Sequence, residues 1–261
     1  VPERKETYVA RGIEWRLALT LLVAFATSAQ AIPLTADFNG DGLEDLVVGE
    51  PGRQVNQKDG AGAVSVYYGR PAGLPAAPHA RFDQEHPDLV QRVEAGDRFG
   101  AALVVADFDR DGFDDLAMGV PHESFEHHPF RTDHIAGRVV VAYGGSSGLR
   151  IRGGGVSDWD RDSVGVESPR GGGDLFGAAL GVGDFNHDGI ADLVVGVPFE
   201  DLHATSGAVL ENAGVAQVLY GTAQGLSALP ELGRQMLSGG RNSTREIRAA
   251  AGDLLGSSFA P

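Results

Sequence analysis

Apolar residues in this chain fall in short runs rich in Val and aromatic residues, each bounded by Gly, Pro or Asp, a pattern that predicts strands rather than helices. The runs recur in a fixed order. A polar decapeptide, Ala36-Asp-Phe-Asn-Gly-Asp-Gly-Leu-Glu-Asp45, returns as Ala106-Asp-Phe-Asp-Arg-Asp-Gly-Phe-Asp-Asp115 and as Gly183-Asp-Phe-Asn-His-Asp-Gly-Ile-Ala-Asp192. Each copy leads into an apolar run closing on Gly-x-Pro (Leu46 to Pro51, Leu116 to Pro121, Leu193 to Pro198) and then into a run ending Tyr-Gly (Gly62 to Gly69, Gly137 to Gly144, Gly214 to Gly221). Two copies open with Asp-x-Phe-Gly-Ala-Ala-Leu, at Asp97 to Leu103 and Asp174 to Leu180, and a weaker Asp253-Leu-Leu-Gly-Ser-Ser-Phe259 reads as the start of a further copy. In the second unit the pattern predicts strand A over Phe99 to Asp107, strand B over Asp115 to Val120, strand C over Arg138 to Tyr143 and a weaker strand D within Leu149 to Trp159. Four antiparallel strands per unit make a propeller blade, and rings close with about four to eight blades. The expected fold is all-β: a β-propeller of four-stranded antiparallel blades over residues 36–96, 97–173 and 174–252, with 253–261 beginning a fourth and the ring incomplete in this chain.

Residues 1–31 follow a different pattern. Arg11 and Arg16 precede the apolar run Leu17 to Ala26, and Ala29-Gln30-Ala31 supplies a small-x-small cleavage site, as in an export signal. The run is too short to span a bilayer. The alternative is an uncleaved anchor, because Glu14 interrupts the basic flank. With cleavage after Ala31 the protein is expected to be secreted or at the cell surface, or periplasmic, with no membrane span in the mature chain. Composition agrees with a turn-rich acidic exoprotein: 38 of 261 residues are Gly, and 21 Lys and Arg face 36 Asp and Glu, a net charge of −15. That balance excludes a nucleic-acid partner bound through its phosphates. The absence of Cys excludes disulfides, a thiolate nucleophile and Cys-ligated zinc.

Each loop between strands A and B places side-chain oxygens at positions 1, 3, 5 and 9 of the repeated polar segment: Asp37, Asn39, Asp41 and Asp45; Asp107, Asp109, Asp111 and Asp115; Asp184, Asn186, Asp188 and Asp192. Gly42, Gly112 and Gly189 at position 6 permit a sharp turn, and the position-7 carbonyls of Leu43, Phe113 and Ile190 offer a further oxygen. Six or more hard oxygens on a flexible loop suit Ca²⁺ better than Mg²⁺, so about three calcium sites are expected. Without an ion the same spacing describes Asx-type turns. An EF-hand loop begins similarly but needs Glu at position 12 and a helix on each side, whereas position 12 here is Val48, Met118 or Val195, inside a strand run.

Taken together, Phe-Gly opening a strand, Asp-x-(Asp/Asn)-x-Asp-Gly-x-x-Asp, Gly-x-Pro and a Val-rich strand ending in Tyr resemble the FG-GAP repeat, the blade unit of integrin α-subunit propellers and of many secreted bacterial proteins. The resemblance covers about residues 36 to 259 and implies that the Asp and Asn positions named above are calcium ligands. It implies a ligand-binding or adhesion module, not an enzyme. Two alternatives are an accessory propeller beside the catalytic domain of a secreted hydrolase and a calcium-stiffened spacer. Because successive strands alternate in direction, the A–B and C–D loops share one end of the propeller. The unequal segments Gly52 to Gly62, His122 to Gly137 and Phe199 to Gly214 share the other, where a protein or glycan ligand is expected to bind.

Four further motifs carry less. Gly144-Gly-Ser-Ser-Gly148 has the form of a nucleophile elbow, yet Gly69 to Gly73 and Gly221 to Gly225 align with it, so its glycines belong to the repeat and Ser146 is incidental. His122, His127, His128 and His134 cluster with Glu123, Glu126 and Asp133 at a spacing that fits no rigid metal geometry, and a solvated loop is expected. The runs Gly153 to Gly155 and Gly171 to Gly173 lack the Lys of a phosphate cradle, and Asn242-Ser-Thr244 is a glycosylation sequon.

Overall fold

The structure is a computed structural model describing residues 32–89, 92–124, 135–152, 157–161, 163, 173–203, 209–228, 236–237 and 257–258. The predicted leader, His127, His128, His134, the glycine runs apart from Gly173, the sequon and nearly all of the begun fourth unit lie outside them.

The first blade is β1 (Ile32–Ala36), β2 (Asp45–Glu50), β3 (Ala63–Tyr67) and β4 (Ala80–Phe82), paired antiparallel in sequence order. The second is β5 (Ala102–Ala106), β6 (Asp115–Val120) and β7 (Arg138–Tyr143), with β8 (Arg150–Ile151) and β9 (Asp158–Trp159) both paired to β7. The third is β10 (Ala179–Gly183) and β11 (Asp192–Val197), a hairpin of β12 (Leu202–His203) and β13 (Val209–Leu210), then β14 (Val215–Leu219) and β15 (Met236–Leu237). No helix occurs among the described residues. β1 lies beside β5, and β5 beside β10, so the A strands are innermost and the blades stand side by side as in a propeller. Three blades are fewer than a closed ring requires, so the described array is open.

The run-like pattern of strands B and C follows from burial on both faces. Leu116, Met118 and Val120 of β6 and Val140 and Ala142 of β7 pack toward the first blade with Val47, Val64, Val66 and Phe99. The alternate residues Ala117, Val139, Val141 and Tyr143 pack toward the third blade with Phe176, Leu193, Val195 and Val197. A strand between two neighbours therefore has no polar face. β2, in the first blade, alternates buried and half-buried residues.

The Phe-Gly signature differs from the predicted strand. Strand A of the second blade begins at Ala102, and Phe99 to Ala101 form a strap across the blade boundary. Phe99 N–H donates to the Ala61 carbonyl at 2.8 Å, and Phe176 N–H to that of Ala136 at 2.8 Å. Gly62 and Gly137 lie against these straps so closely that a Cβ on Gly137 would stand 2.2 Å from Phe176 O. The first unit lacks Phe-Gly in its sequence but still has its innermost strand, β1. Strand D of the second blade is seen as two short pieces on β7, with Ile151 opposite Ala142 and Asp158 opposite Val140.

The repeated Gly-Leu turn after strand C also joins blades. Leu149 N–H donates to Tyr68 Oη at 2.8 Å, and Leu226 N–H to Tyr143 Oη at 2.8 Å. Ser146 sits in this strand-to-strand turn, where a nucleophile elbow would require a following helix.

Candidate metal centre

The A–B loops fold by binding their own backbone. In the first, Asp41 N–H donates to Asp37 Oδ1 at 3.2 Å and to Asn39 Oδ1 at 2.9 Å, Gly42 N–H to Asp37 Oδ2 at 2.9 Å, and Leu43 N–H to Asp41 Oδ1 at 2.9 Å. The second repeats this with Asp107, Asp109 and Asp111 accepting from Asp111, Gly112 and Phe113 at 3.0 to 3.2 Å. The third repeats it with Asp184, Asn186 and Asp188 accepting from Asp188, Gly189 and Ile190 at 2.8 to 3.1 Å. These Asx turns draw the side chains at positions 1, 3 and 5 onto the loop's own N–H groups. They also hold position 4 in the left-handed region, at φ +69° for Gly40, +58° for Arg110 and +60° for His187, an arrangement the position-6 glycines alone did not reveal.

Position 9 differs from the rest. Asp45, Asp115 and Asp192 are fully buried. Each Oδ2 accepts the position-2 N–H, from Phe38 at 2.9 Å, Phe108 at 2.7 Å and Phe185 at 2.8 Å. Each Oδ1 accepts the first N–H of the C–D turn, from Gly69 at 2.8 Å, Gly144 at 2.8 Å and Gly221 at 2.9 Å. Burial pushes the Asp115 carboxyl up to about 7, with Asp109 and Asp107 adding to the rise. Asp45 and Asp192 are raised for the same first cause, with Asp41 and Asp37, or Asp188, contributing.

The loops also touch the next blade. Asp37 N–H donates to Asp114 Oδ2 at 2.8 Å, and Gly145 N–H to the Phe38 carbonyl at 3.0 Å. Phe38 and Phe108 are fully buried at the successive blade boundaries.

In the second loop one oxygen each of Asp107, Asp109 and Asp115 lie within 4.8 Å of one another. A carboxylate oxygen that accepts one N–H keeps a second lone pair, so the hydrogen bonds at positions 1, 3 and 9 leave room for an ion. Leu43, Phe113 and Ile190 enter the loop hydrogen bonding through their N–H groups. A positively charged side chain already lies at the second loop: Arg152 Nη1 bonds Asp109 Oδ2, and its Nη2 is 3.5 Å from Asp111 Oδ2. Arg152 was not among the candidate residues. The available signal was Asp109, standing where the other loops have Asn39 and Asn186.

The propeller's other end carries a different polar set. Of the histidine cluster, His122 and Glu123 are described. Glu123 is buried, accepts from Gln84 Nε2 across the blade boundary and lies 4.0 Å from Arg138 Nε. Burial, partly offset by Arg138, pushes its carboxyl up to about 8. At the next boundary Arg161 binds Glu200 and, at 3.1 Å, Asp174, all three buried. These groups join blades and form no cluster of metal-ligating oxygens.

Blade order, straps and acidic A–B loops define an all-β propeller of repeated blades. Residues 30–67, 99–141 and 176–219 match the FG-GAP repeat, so the three blades are FG-GAP repeats of an integrin-α-like propeller. It is 33% identical over 168 residues to phosphatidylinositol-glycan-specific phospholipase D of Homo sapiens, covering 63% of this chain and 18% of that protein. It is 30% identical over 158 residues to integrin alpha-3 of Mus musculus (58% of this chain, 13% of that protein) and 32% over 166 residues to integrin alpha-IIb of Homo sapiens (61% and 14%). The chain thus spans less than a fifth of the length of these relatives. No helix of the described residues is long and apolar enough to cross a membrane.

Proposed function

We propose that this chain is a calcium-binding, ligand-binding propeller portion of a secreted or cell-surface protein and carries no catalytic centre of its own. The observation behind this reading is the same hydrogen-bonded loop three times over, with side-chain oxygens at positions 1, 3, 5 and 9 of the sequence and those of Asp107, Asp109 and Asp115 within 4.8 Å of one another in the second. Asp37, Asn39, Asp41 and Asp45 would hold the first ion, Asp107, Asp109, Asp111 and Asp115 the second, and Asp184, Asn186, Asp188 and Asp192 the third. The carbonyls of Leu43, Phe113 and Ile190 and water would complete each shell. Calcium there neutralises the loop carboxylates and locks the A–B turn to the C–D turn. The ligand, a protein or glycan, is assigned to the opposite end, where the B–C connections differ in length and one carries the β12–β13 hairpin.

Equilibrium dialysis with radiolabelled calcium tests this. About three ions should bind with Kd of roughly 0.1 to 1 mM, the range of extracellular modules. Asp37→Ala, Asp107→Ala and Asp184→Ala should each remove one, and binding of no calcium at 5 mM would overturn the reading. A second reading, a propeller accompanying a catalytic domain, is favoured by the similarity to a phospholipase D. A catalytic domain in the same gene product would establish it without changing the role of the loops.

A further inference from the structure

The three metal loops are not equivalent in charge. In the first and third, the position-3 side chain is an amide that donates to the position-5 carboxylate: Asn39 Nδ2 to Asp41 Oδ2 at 3.2 Å, and Asn186 Nδ2 to Asp188 Oδ2 at 2.8 Å. Asp109 at that position in the second loop has no hydrogen to donate, and it adds a fourth ligand-position carboxylate. Arg152 supplies both the missing donors and the missing positive charge. Its Nη1 bonds Asp109 Oδ2, its Nη2 is 3.5 Å from Asp111 Oδ2, and its guanidinium lies over the Tyr143 ring with Cζ 4.3 Å from the centroid. Asp109 is buried, so this pair is less screened than a surface ion pair.

The repeated sequence shows that the arginine is particular to the second unit. Counted from the Gly-Leu of the repeated turn, Arg152 is the third residue after Leu149, and Ala77 is the third after Leu74 in the first unit. The same count from Leu226 gives Leu229 in the third unit. The blade with Asp at position 3 has Arg at this place, whereas the two with Asn have Ala and Leu.

We propose that Arg152 is a built-in counter-cation of the second metal loop that competes with the divalent ion for Asp109 and Asp111. Without calcium, it neutralises the added carboxylate and replaces the Asn-to-Asp hydrogen bond. An entering ion takes the oxygens that Arg152 holds, so the guanidinium must leave them. The second site therefore has the largest ligand charge and an internal competitor that lowers its apparent affinity. By linkage, calcium weakens the Arg152 contact by the same factor by which Arg152 weakens calcium binding. This inference rests on the calcium reading of the loops.

The test is isothermal titration of calcium into the whole chain, compared with Arg152→Gln, Arg152→Lys and the double variant Arg152→Gln with Asp107→Ala, plus melting of each in chelator. Arg152→Gln should tighten one site at least about fivefold, the lower end of typical coupling, and leave the others unchanged. The double variant should lack the tightened site. Arg152→Lys, which keeps the charge but loses the two-point contact, should fall between. In chelator Arg152→Gln should melt below wild type, since the carboxylates lose their counter-charge. If folded Arg152→Gln bound calcium at every site as tightly as wild type, or more weakly, the competition would be overturned while the calcium sites stood. If no variant took up calcium, the calcium reading itself would fall and the competition with it.

Discussion

Asp115 holds two loops at once. Its Oδ2 accepts Phe108 N–H at 2.7 Å and its Oδ1 accepts Gly144 N–H at 2.8 Å, with the carboxylate fully buried. Asp111 accepts the Phe113 N–H but is partly open to water. The two residues share a ligand motif and differ in structural role. Asp115→Asn replaces one acceptor by an NH₂ group facing an N–H, so in chelator it should cost about 1 to 3 kcal/mol. Asp111→Ala should cost no more than about 1 kcal/mol while weakening calcium binding. Urea denaturation in chelator checks both, and a larger loss for Asp111→Ala would contradict the assignment. At this scale the loop positions that carry side-chain oxygens were legible because they follow from spacing alone. The tether through position 9 was not, since it depends on a turn that meets the loop only after strands B and C have paired. Arg152 escaped for a similar reason: it lies 43 residues from Asp109, beyond the C–D turn, and no spacing rule links the two.

Strands B and C of the second blade occupy the predicted residues, Asp115–Val120 and Arg138–Tyr143. Their apolar runs are continuous because both faces are covered, and Gly or Asp ends each run sharply. Strand A was predicted too long, because Phe99 is apolar and buried yet belongs to a strap that crosses to the preceding blade. An apolar residue reports burial, not which neighbour buries it. The β12–β13 hairpin was read as a loop, as it consists of two short pairs, Leu202 with Leu210 and His203 with Val209. The strap's importance is testable at Gly137. An added Cβ there would stand 2.2 Å from Phe176 O and 2.5 Å from Phe176 N, on a residue at φ +82°. Gly137→Ala should therefore destabilise by about 2 kcal/mol or more, through strain at a left-handed residue and forced separation of the blades. Gly112→Ala, equally left-handed but with nothing within 4 Å, should cost only about 1 kcal/mol. Chemical denaturation of the two variants compares them, and equal losses would show that the close approach is unimportant.

Across the whole molecule the two ends of the blades do different work. The A–B and C–D loops meet at one end through the position-9 carboxylates, and the buried pairs Gln84 with Glu123 and Arg161 with Glu200 fasten the blades at the other. The open side of the array shows in one repeated residue: Phe38 and Phe108 are fully buried by the next blade, while Phe185 is 45% exposed. Blade type and order were legible because each unit repeats its strands, turns and polar loop. The fastening of one blade to the next was not, because straps, Tyr-to-Leu contacts and buried ion pairs join residues that local periodicity does not connect. The central claim is that calcium completes the A–B loops. The measurement that bears on it most directly is thermal denaturation of the chain in excess chelator and in 2 mM calcium, with 2 mM magnesium as control. Calcium should raise the melting temperature by several degrees, since tenfold excess over Kd adds about 1.4 kcal/mol per site, and magnesium should add much less. Asp37→Ala, Asp107→Ala and Asp184→Ala combined should abolish the rise. Identical melting curves in chelator and in calcium would contradict the account.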